Sequence, residues 1–146
     1  MEIEIKIEPD YKIPKVIIVT EKVTEEINAL IAKLSEETPQ LISGFRDNML
    51  RILEQDEIIR VYSENGKIIA ATDEGEYVLR QRLYEMEERL DGTKFVRISN
   101  SEIINLKKVR SFDLSFTGTI CVSLSDSSVT YVSRRYVSKI KKILGI

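Results

Sequence analysis

Histidine is absent from all 146 residues of the chain, and cysteine occurs once. Without an imidazole, the chain lacks the commonest general base and metal ligand, and every Ser-His or Cys-His nucleophile pair is excluded. One cysteine can form neither a disulfide framework nor a zinc-finger site, and its apolar flanks, Ile120 and Val122, predict that Cys121 is buried and unreactive. These absences predict a chain that is not an enzyme and that holds no metal and no cofactor.

Long apolar runs and glycine-rich loops are also missing. No stretch approaches the ~20 apolar residues of a membrane-spanning helix, and the first ten residues, MEIEIKIEPD, are too charged for a signal peptide. The six glycines are isolated from one another, which excludes a glycine-rich phosphate-binding loop. We therefore expect a globular protein that resides in the cytoplasm.

Charge is distributed unevenly along the chain. Residues 1–93 contain 12 Lys and Arg against 21 Asp and Glu, whereas residues 94–146 contain 10 against 3, although the net charge of the whole chain is only -2. Because binding responds to local potential rather than to the average, the basic part is suited to nucleic acid. An acidic partner protein, or the acidic part of the same chain, would also match it.

Residues 1–39 contain signals for two strands and one helix. Apolar and charged residues alternate over residues 2–8, and a β-branched run covers residues 15–19, so both stretches predict strands. Thr20 is the predicted cap of a helix with regularly spaced apolar residues, and Thr38-Pro39 is predicted to end it. We expect these residues to form a strand-strand-helix segment distinct from the rest of the chain.

The remainder of the chain is predicted to be mainly β. Asn65-Gly66 between β-rich runs is the strongest hairpin signal, and residues 46–48 predict a second hairpin turn. Apolar spacing predicts a helix over residues 80–90, a short helical or 3-10 piece is expected at residues 102–106, and Ser133 is the predicted cap of a last helix. The predicted strands are residues 41–45, 49–53, 58–62, 67–72, 95–98, 109–114, 119–124 and 129–132.

The basic part of the chain has the residue types of a phosphate-binding surface. Short hydroxyl and amide side chains alternate with the cations and can donate to phosphate oxygens or base edges. Backbone N–H groups near Ser133, at the start of the last helix, would add an anion site. The cations are Arg97, Lys107, Lys108, Arg110, Arg134, Arg135, Lys139, Lys141 and Lys142. Two functions remain open at this point: nucleic-acid binding, or a non-enzymatic protein-interaction module whose basic C-terminal face binds an acidic partner.

Two separated motifs resemble the signatures of the LytTR DNA-binding domain family. The run Phe95-Val96-Arg97-Ile98-Ser99-Asn100-Ser101, followed by Ile103-Ile104-Asn105-Leu106, is similar to the first signature. The run Val132-Ser133-Arg134-Arg135-Tyr136 is similar to the second. The predicted elements between them follow the family's order, and the resemblance covers residues 40–146. Two signatures at the expected places are much more specific than either alone.

The resemblance implies a fold and a function. The fold is α+β and mainly β: an elongated antiparallel β domain of LytTR type with short helices, here preceded by the strand-strand-helix segment. The function is that of a sequence-specific bacterial transcriptional regulator. In the family, loops enter successive major grooves of repeat-containing promoter DNA, with a minor-groove contact between them.

Carried over to this sequence, the family pattern assigns DNA-binding residues. The loop Ser99-Asn100-Ser101 would enter one groove, and the group Ser133-Arg134-Arg135 would enter another, with Arg135 as the expected base contact. Lys107 and Lys108 would bind phosphates and set the register, and Lys139 would add to the same basic surface. Asn105 is expected to bond the adjacent turn instead of DNA.

Two departures from the family pattern bear on regulation. Many members have a histidine where Ser99 stands, so the base preference of this loop is left open. Many members also begin with a receiver domain, for which 39 residues are too few, so phosphorylation control is not expected. The leading segment is expected to support homodimerisation or contact with a regulatory partner, or simply to cap one end of the β domain. Since some similar regulators are held in check by a small membrane protein, the resemblance makes such a protein an expected partner beside double-stranded DNA.

Overall fold

A computed structural model describes residues 1–34 and 41–146, and the chain divides into two compact units, Met1–Pro39 and Gln40–Ile146. The predicted helix stop at Thr38-Pro39 lies outside the described residues. In the first unit, helix α1 spans Glu25–Leu34. The cap is Thr24, not the predicted Thr20: the Thr24 hydroxyl accepts from the backbone N–H of Ile27 (3.4 Å).

The two strands predicted in the first unit are wrong. No strand occurs among the first 24 residues, and Ile3, Ile5 and Ile7 are 82%, 83% and 89% exposed. Alternation of apolar and charged side chains provides a strand with a burial face, but a strand also needs a hydrogen-bonded neighbour. No such neighbour is found in the described part of this unit.

The second unit is a mainly antiparallel β structure with short helices, which confirms the predicted fold class. Seven strands form one sheet in the order β2-β1-β5-β4-β3-β7-β6, and three form a second sheet in the order β10-β9-β8. The strands are β1 (Ile42–Arg46), β2 (Met49–Leu53), β3 (Arg60–Glu64), β4 (Lys67–Thr72), β5 (Gly75–Leu79), β6 (Phe95–Ser99), β7 (Glu102–Asn105), β8 (Val109–Asp113), β9 (Ile120–Leu124) and β10 (Val129–Val132). The helices are α2 (Leu83–Arg89) and α3 (Arg134–Leu144), with 3-10 turns at Gln55–Glu57 and Leu106–Lys108.

Both predicted hairpins are present, and their turns have the backbone that their residues favour. Asp47 and Asn48 join β1 to β2 with φ of 51° and 64°, and Asn65 and Gly66 join β3 to β4 with φ of 50° and 76°. Two successive positive φ angles are typical of the type I′ turn, whose twist matches that of paired strands. The local turn chemistry therefore fixes these two registers.

Four local predictions were wrong. The stretch predicted as a helical piece at residues 102–106 is mostly strand β7, all four residues of which are buried. The predicted strands do not include β5, and α2 begins at Leu83, three residues later than predicted. Cys121 is half-buried, so the expectation of a buried thiol was also wrong.

The large sheet separates two hydrophobic cores. On one face, α2 packs through Leu83 and Met86 onto a core that includes Ile103. On the other face, the small sheet and α3 cover a core that includes Ile104 and Ile140. Ile103 and Ile104 are neighbours that point to opposite faces of β7, as the two-residue period of a strand requires. Cover on both faces explains why β7 lacks the alternating pattern of a half-buried strand.

Candidate nucleic-acid interface

The loop Ser99-Asn100-Ser101 joins β6 to β7 and is held by one guanidinium group. Arg97 Nε donates to the carbonyl of Ser99 (2.9 Å), and an Nη of Arg97 donates to the carbonyl of Asn100 (2.6 Å). The register between β6 and β7 also shifts between Arg97 and Ser99, a bulge that redirects the chain where the loop begins. The Ser99 hydroxyl accepts from the backbone N–H of Ser101 (3.2 Å). The loop backbone is therefore ordered from within the protein.

Arg97 is committed to this internal role. Its remaining Nη forms an ion pair of 2.7 Å with Glu87 on α2, and the Arg97 side chain is only 15% exposed. Three directions of the guanidinium are thus satisfied by protein oxygens. By charge alone Arg97 belongs with the phosphate-binding cations, whereas in the structure its guanidinium holds the loop backbone.

The second signature lies directly against this loop. The backbone N–H of Ser133 donates to the carbonyl of Ile98 (2.9 Å), which joins the start of α3 to the end of β6. The hydroxyl of Tyr136, in the first turn of α3, donates to Oδ1 of Asn100 (3.3 Å). The two motifs, which are 36 residues apart at this contact, therefore form one continuous surface.

Ser133 occupies the position before α3, but its hydroxyl makes no capping hydrogen bond, contrary to the prediction. The side chain of Arg134 lies against the β8–β9 loop, since a methyl group added at Gly118 would approach Arg134 Nε to 3.1 Å. Arg135 and Lys139 are exposed beside it. Within the described residues, neither Arg134, Arg135 nor Lys139 forms an ion pair with a carboxylate, so this end of α3 carries uncompensated positive charge.

Lys107 and Lys108 lie away from the loop. They belong to the 3-10 turn that follows β7, so the whole of that strand separates them from Ser101, about 13 Å at a strand rise of ~3.3 Å per residue. Asn105 fixes this turn: its amide donates to the carbonyl of Ile58 (2.8 Å), and its Oδ1 accepts from the N–H of Lys107 (2.9 Å). The structure thus gives Asn105 the structural role expected from the sequence.

The β3–β4 turn is a further part of this surface that sequence reasoning did not include. The N–H of Ser63 donates to the carbonyl of Ser101 (2.9 Å), so the end of β3 runs alongside the loop. With neighbouring strands about 4.8 Å apart, the centre of the β3–β4 turn lies roughly 10 Å from the centre of the β6–β7 loop. The pairing of β3 with β7, residues some forty positions apart, has no signal in a single sequence.

Of the acidic groups in the basic part, Glu102 is paired with a cation within the fold, whereas Asp113 is held as a carboxylate anion. Glu102 on β7 is buried, pairs with Arg60 (3.2 Å) and accepts from the hydroxyl of Thr130 on β10 (2.7 Å). Hydrogen bonds from the hydroxyl and N–H of Ser115 lower the pKa of the Asp113 carboxyl. Glu102 therefore ties the two sheets together and does not oppose an anion at the surface.

Within residues 1–34 and 41–146, no three Asp, Glu, Cys or His side chains converge on a possible metal position, and no helix is long and apolar enough to cross a membrane. What the structure brings together is a row of turns and a helix start at one end of the large sheet, with exposed amide, hydroxyl and cationic groups. These features define a mainly antiparallel β domain whose exposed loops and cations share one end of the large sheet. The chain belongs to the LytTr DNA-binding domain family, whose family model matches residues 48–145. That family is one of DNA-binding domains and not of enzymes.

Similar proteins agree with this assignment. The chain is 31% identical over 126 residues to uncharacterized HTH-type transcriptional regulators of Staphylococcus aureus strains NCTC 8325 and COL, covering 86% of this chain and 85% of each relative. The structure resembles a solved LytTr DNA-binding domain from a Bacillus cereus methyl-accepting/DNA response regulator, with a TM-score of 0.70 and 19% identity over 73% of this chain and 97% of that one. The relatives' names refer to a helix-turn-helix, but in the described residues of the second unit five strands separate α2 from α3.

Proposed function

We propose that the protein is a sequence-specific DNA-binding transcriptional regulator that inserts loops into the grooves of repeat-containing promoter DNA. The observation that carries the proposal is the hydrogen bond from Tyr136 to Asn100, which unites both signatures in one surface beside the uncompensated cations of α3. Loops that carry amide and hydroxyl groups are suited to base edges, and the exposed cations are suited to phosphates. The proposal places the protein in the cytoplasm, where bacterial DNA lies.

The spacing of the surface supports an arrangement across neighbouring grooves. Successive major grooves are ~34 Å apart, which is too far for two loops in hydrogen-bond contact to reach their centres. A minor groove is only ~6 Å wide, so a protein that straddles it meets the near edges of both flanking major grooves. We therefore place the loop of Asn100 at the minor groove, with the β3–β4 turn and the Ser133-Arg134-Arg135 group at the major grooves on either side.

The chemistry of Asn100 fits that placement. Its Oδ1 accepts from Tyr136, which leaves the amide NH₂ free to donate. The minor-groove edges of A·T pairs present only acceptors, A N3 and T O2. Ser99 and Ser101 add short hydroxyl groups on either side of the amide.

On the major-groove side, Arg135 is the proposed base contact, because the side chain of Arg134 lies close to the β8–β9 loop at Gly118. A free guanidinium can bind guanine O6 and N7 in a bidentate manner. Lys139, Lys107 and Lys108 are proposed phosphate contacts. A loop inserted ~7.5 Å into a minor groove would hold residues about 13 Å behind it roughly 5–6 Å outside the phosphates, within the reach of a lysine side chain.

The first unit is proposed to bring two copies together. Ile3, Ile5 and Ile7 are almost fully exposed and alternate with charged residues of both signs, a pattern suited to pairing with another strand. The alignment with the S. aureus relatives covers 126 residues and exceeds the 107 residues of the second unit by 19, so it includes at least 19 residues of the first unit. A homodimer would read two DNA repeats. A small membrane protein is the other proposed partner of this segment, and the mass of the free protein in solution tests the dimer directly.

Fluorescence anisotropy tests the proposed function. Duplexes enriched by the full chain from a random library are compared with scrambled duplexes of equal composition at two salt concentrations. Preference for the enriched duplex at the higher salt, by at least the ~1–3 kcal/mol that one wrong base pair costs, supports base readout. Equal and salt-labile binding to both duplexes would instead favour a basic module for an acidic partner protein, since a protein partner imposes no base sequence.

A further inference from the structure

The acidic part of the chain contributes two cations to the same end of the sheet. β4 and β5 are antiparallel, and their last paired residues at this end are Ile68 and Leu79. One step further along the same register, Lys67 stands opposite Arg80, which directly follows β5. Both residues are exposed. Neither forms an ion pair within the described residues, although Glu64 stands opposite Lys67 across the β3–β4 hairpin.

The side chain of Arg80 is held in a defined position. Its guanidinium lies over the ring of Phe45, with 4.4 Å from Cζ to the ring centroid. A cation–π contact of this kind leaves the edges of the guanidinium, where the N–H donors lie, free for another ligand. An arginine ordered in this way binds an anion at lower entropic cost than a free one.

The strand alternation shows which way these cations face. Leu79 points into the core that α2 covers, so Arg80 points to the opposite face of the sheet. That face is the one on which α3 packs. Arg80 and the exposed cations of α3 therefore lie on the same side of the large sheet, with the loop of Asn100 between them.

We propose that Lys67 and Arg80 form a second phosphate-binding site, which contacts a DNA backbone segment different from the one bound near Arg135. This inference rests on the proposed function and extends its interface. Three strand spacings, about 14 Å, separate β5 from β7. That distance corresponds to about four base pairs at the ~3.4 Å axial spacing of the phosphates of one strand, so the two sites cannot share a phosphate.

The salt dependence of binding tests the proposal. Removing the cation of one phosphate contact reduces the magnitude of the slope of log K against log salt by about 0.9. At 0.1 M salt this change corresponds to a loss of roughly 8-fold in affinity. Arg80→Gln is expected to reduce the slope by about one and Lys67→Gln/Arg80→Gln by about two. The enriched and scrambled duplexes should lose affinity equally, because phosphates carry no sequence information.

Lys94→Gln is the matched control. Lys94 is paired with Asp56 (3.2 Å) and precedes β6, at the end of the sheet opposite to the loop. Lys94→Gln removes one positive charge, as Arg80→Gln does, so an equal fall of the salt slope in both variants would overturn the proposal. Thermal unfolding of each variant verifies that the fold is retained.

Ethylation interference locates the site on the DNA. In the wild-type complex, ethylation at two separated backbone segments should weaken binding, and Lys67→Gln/Arg80→Gln should abolish the effect at one segment only. An unchanged interference pattern would contradict the second site while leaving the proposed function in place. If the wild-type chain showed no preference for any duplex, the proposed function itself would fail.

Discussion

Substitution of Arg97 distinguishes a residue that positions a DNA-binding loop from a residue that binds DNA directly. Its guanidinium donates to the carbonyls of Ser99 and Asn100 and pairs with Glu87, and its side chain is 15% exposed. The substitution Arg97→Lys keeps the charge but has a single nitrogen in place of three. The lysine can satisfy Glu87 or one loop carbonyl, but it cannot reproduce the planar fork.

The expected loss follows from these contacts. A hydrogen bond to a charged group contributes about 1.5–3 kcal/mol, and Arg97→Lys removes at least one such bond from the loop. If the loop must be ordered to read bases, this loss lowers the population of the competent conformation by about 10- to 100-fold. Affinity for an enriched duplex should fall by that factor.

The assay is anisotropy on enriched and scrambled duplexes over a salt series. For Arg97→Lys we expect the ratio of the two affinities to fall sharply while the salt slope stays unchanged. Glu87→Gln is the control: its ion pair is 43% exposed on the carboxylate side, so its loss should change binding by less than about 5-fold. A slope lowered by about one, with the sequence preference retained, would show that Arg97 binds a phosphate and would refute the reasoning.

Three further predictions concern stability. Glu102→Ala removes the carboxylate that joins the two sheets and leaves a half-buried arginine unpaired, so the free energy of unfolding in urea should fall by about 3 kcal/mol. Asn105→Ala leaves the buried carbonyl of Ile58 without its donor and should cost about 2–3 kcal/mol in the same assay. Burial and the hydrogen bond to Glu76 raise the pKa of Tyr62 to about 12, so the folded state keeps a proton that the unfolded state loses above pH 10. The contribution of Tyr62 to the free energy of unfolding should therefore be complete below pH 10 and decline from pH 10 to pH 12. Urea titrations across that range should show this part of the decline for the wild-type chain and not for Tyr62→Phe.

The parts of the fold that local chemistry determines could be predicted from the sequence. The Asn65-Gly66 turn specifies its own backbone, and the hairpin around it follows. β7 could not be predicted in this way, because Ile103 and Ile104 are buried on opposite faces by elements distant in sequence. The strands predicted in residues 1–39 are absent for a different reason. The alternation of apolar and charged residues is clear in the sequence, but a strand also needs a hydrogen-bonded neighbour, which the alternation does not supply.

The candidate site shows the same division. Each signature could be found in the sequence because its residues are contiguous. Their contact through Asn100 and Tyr136 could not, because it depends on how α3 docks on β6. Arg97 was grouped with the other cations for a similar reason: charge is visible in a sequence, whereas burial and hydrogen-bond partners appear only once the chain is folded.

The central claim is that the loop of Asn100 and the start of α3 read bases at different positions of one DNA site. Selection of duplexes from a random library, carried out in parallel with the wild-type chain, Asn100→Ala and Arg135→Gln, tests this claim most directly. We predict that each variant enriches the wild-type motif with the preference lost at one position, and that the two lost positions differ. Recovery of the complete wild-type motif by both variants would contradict the claim.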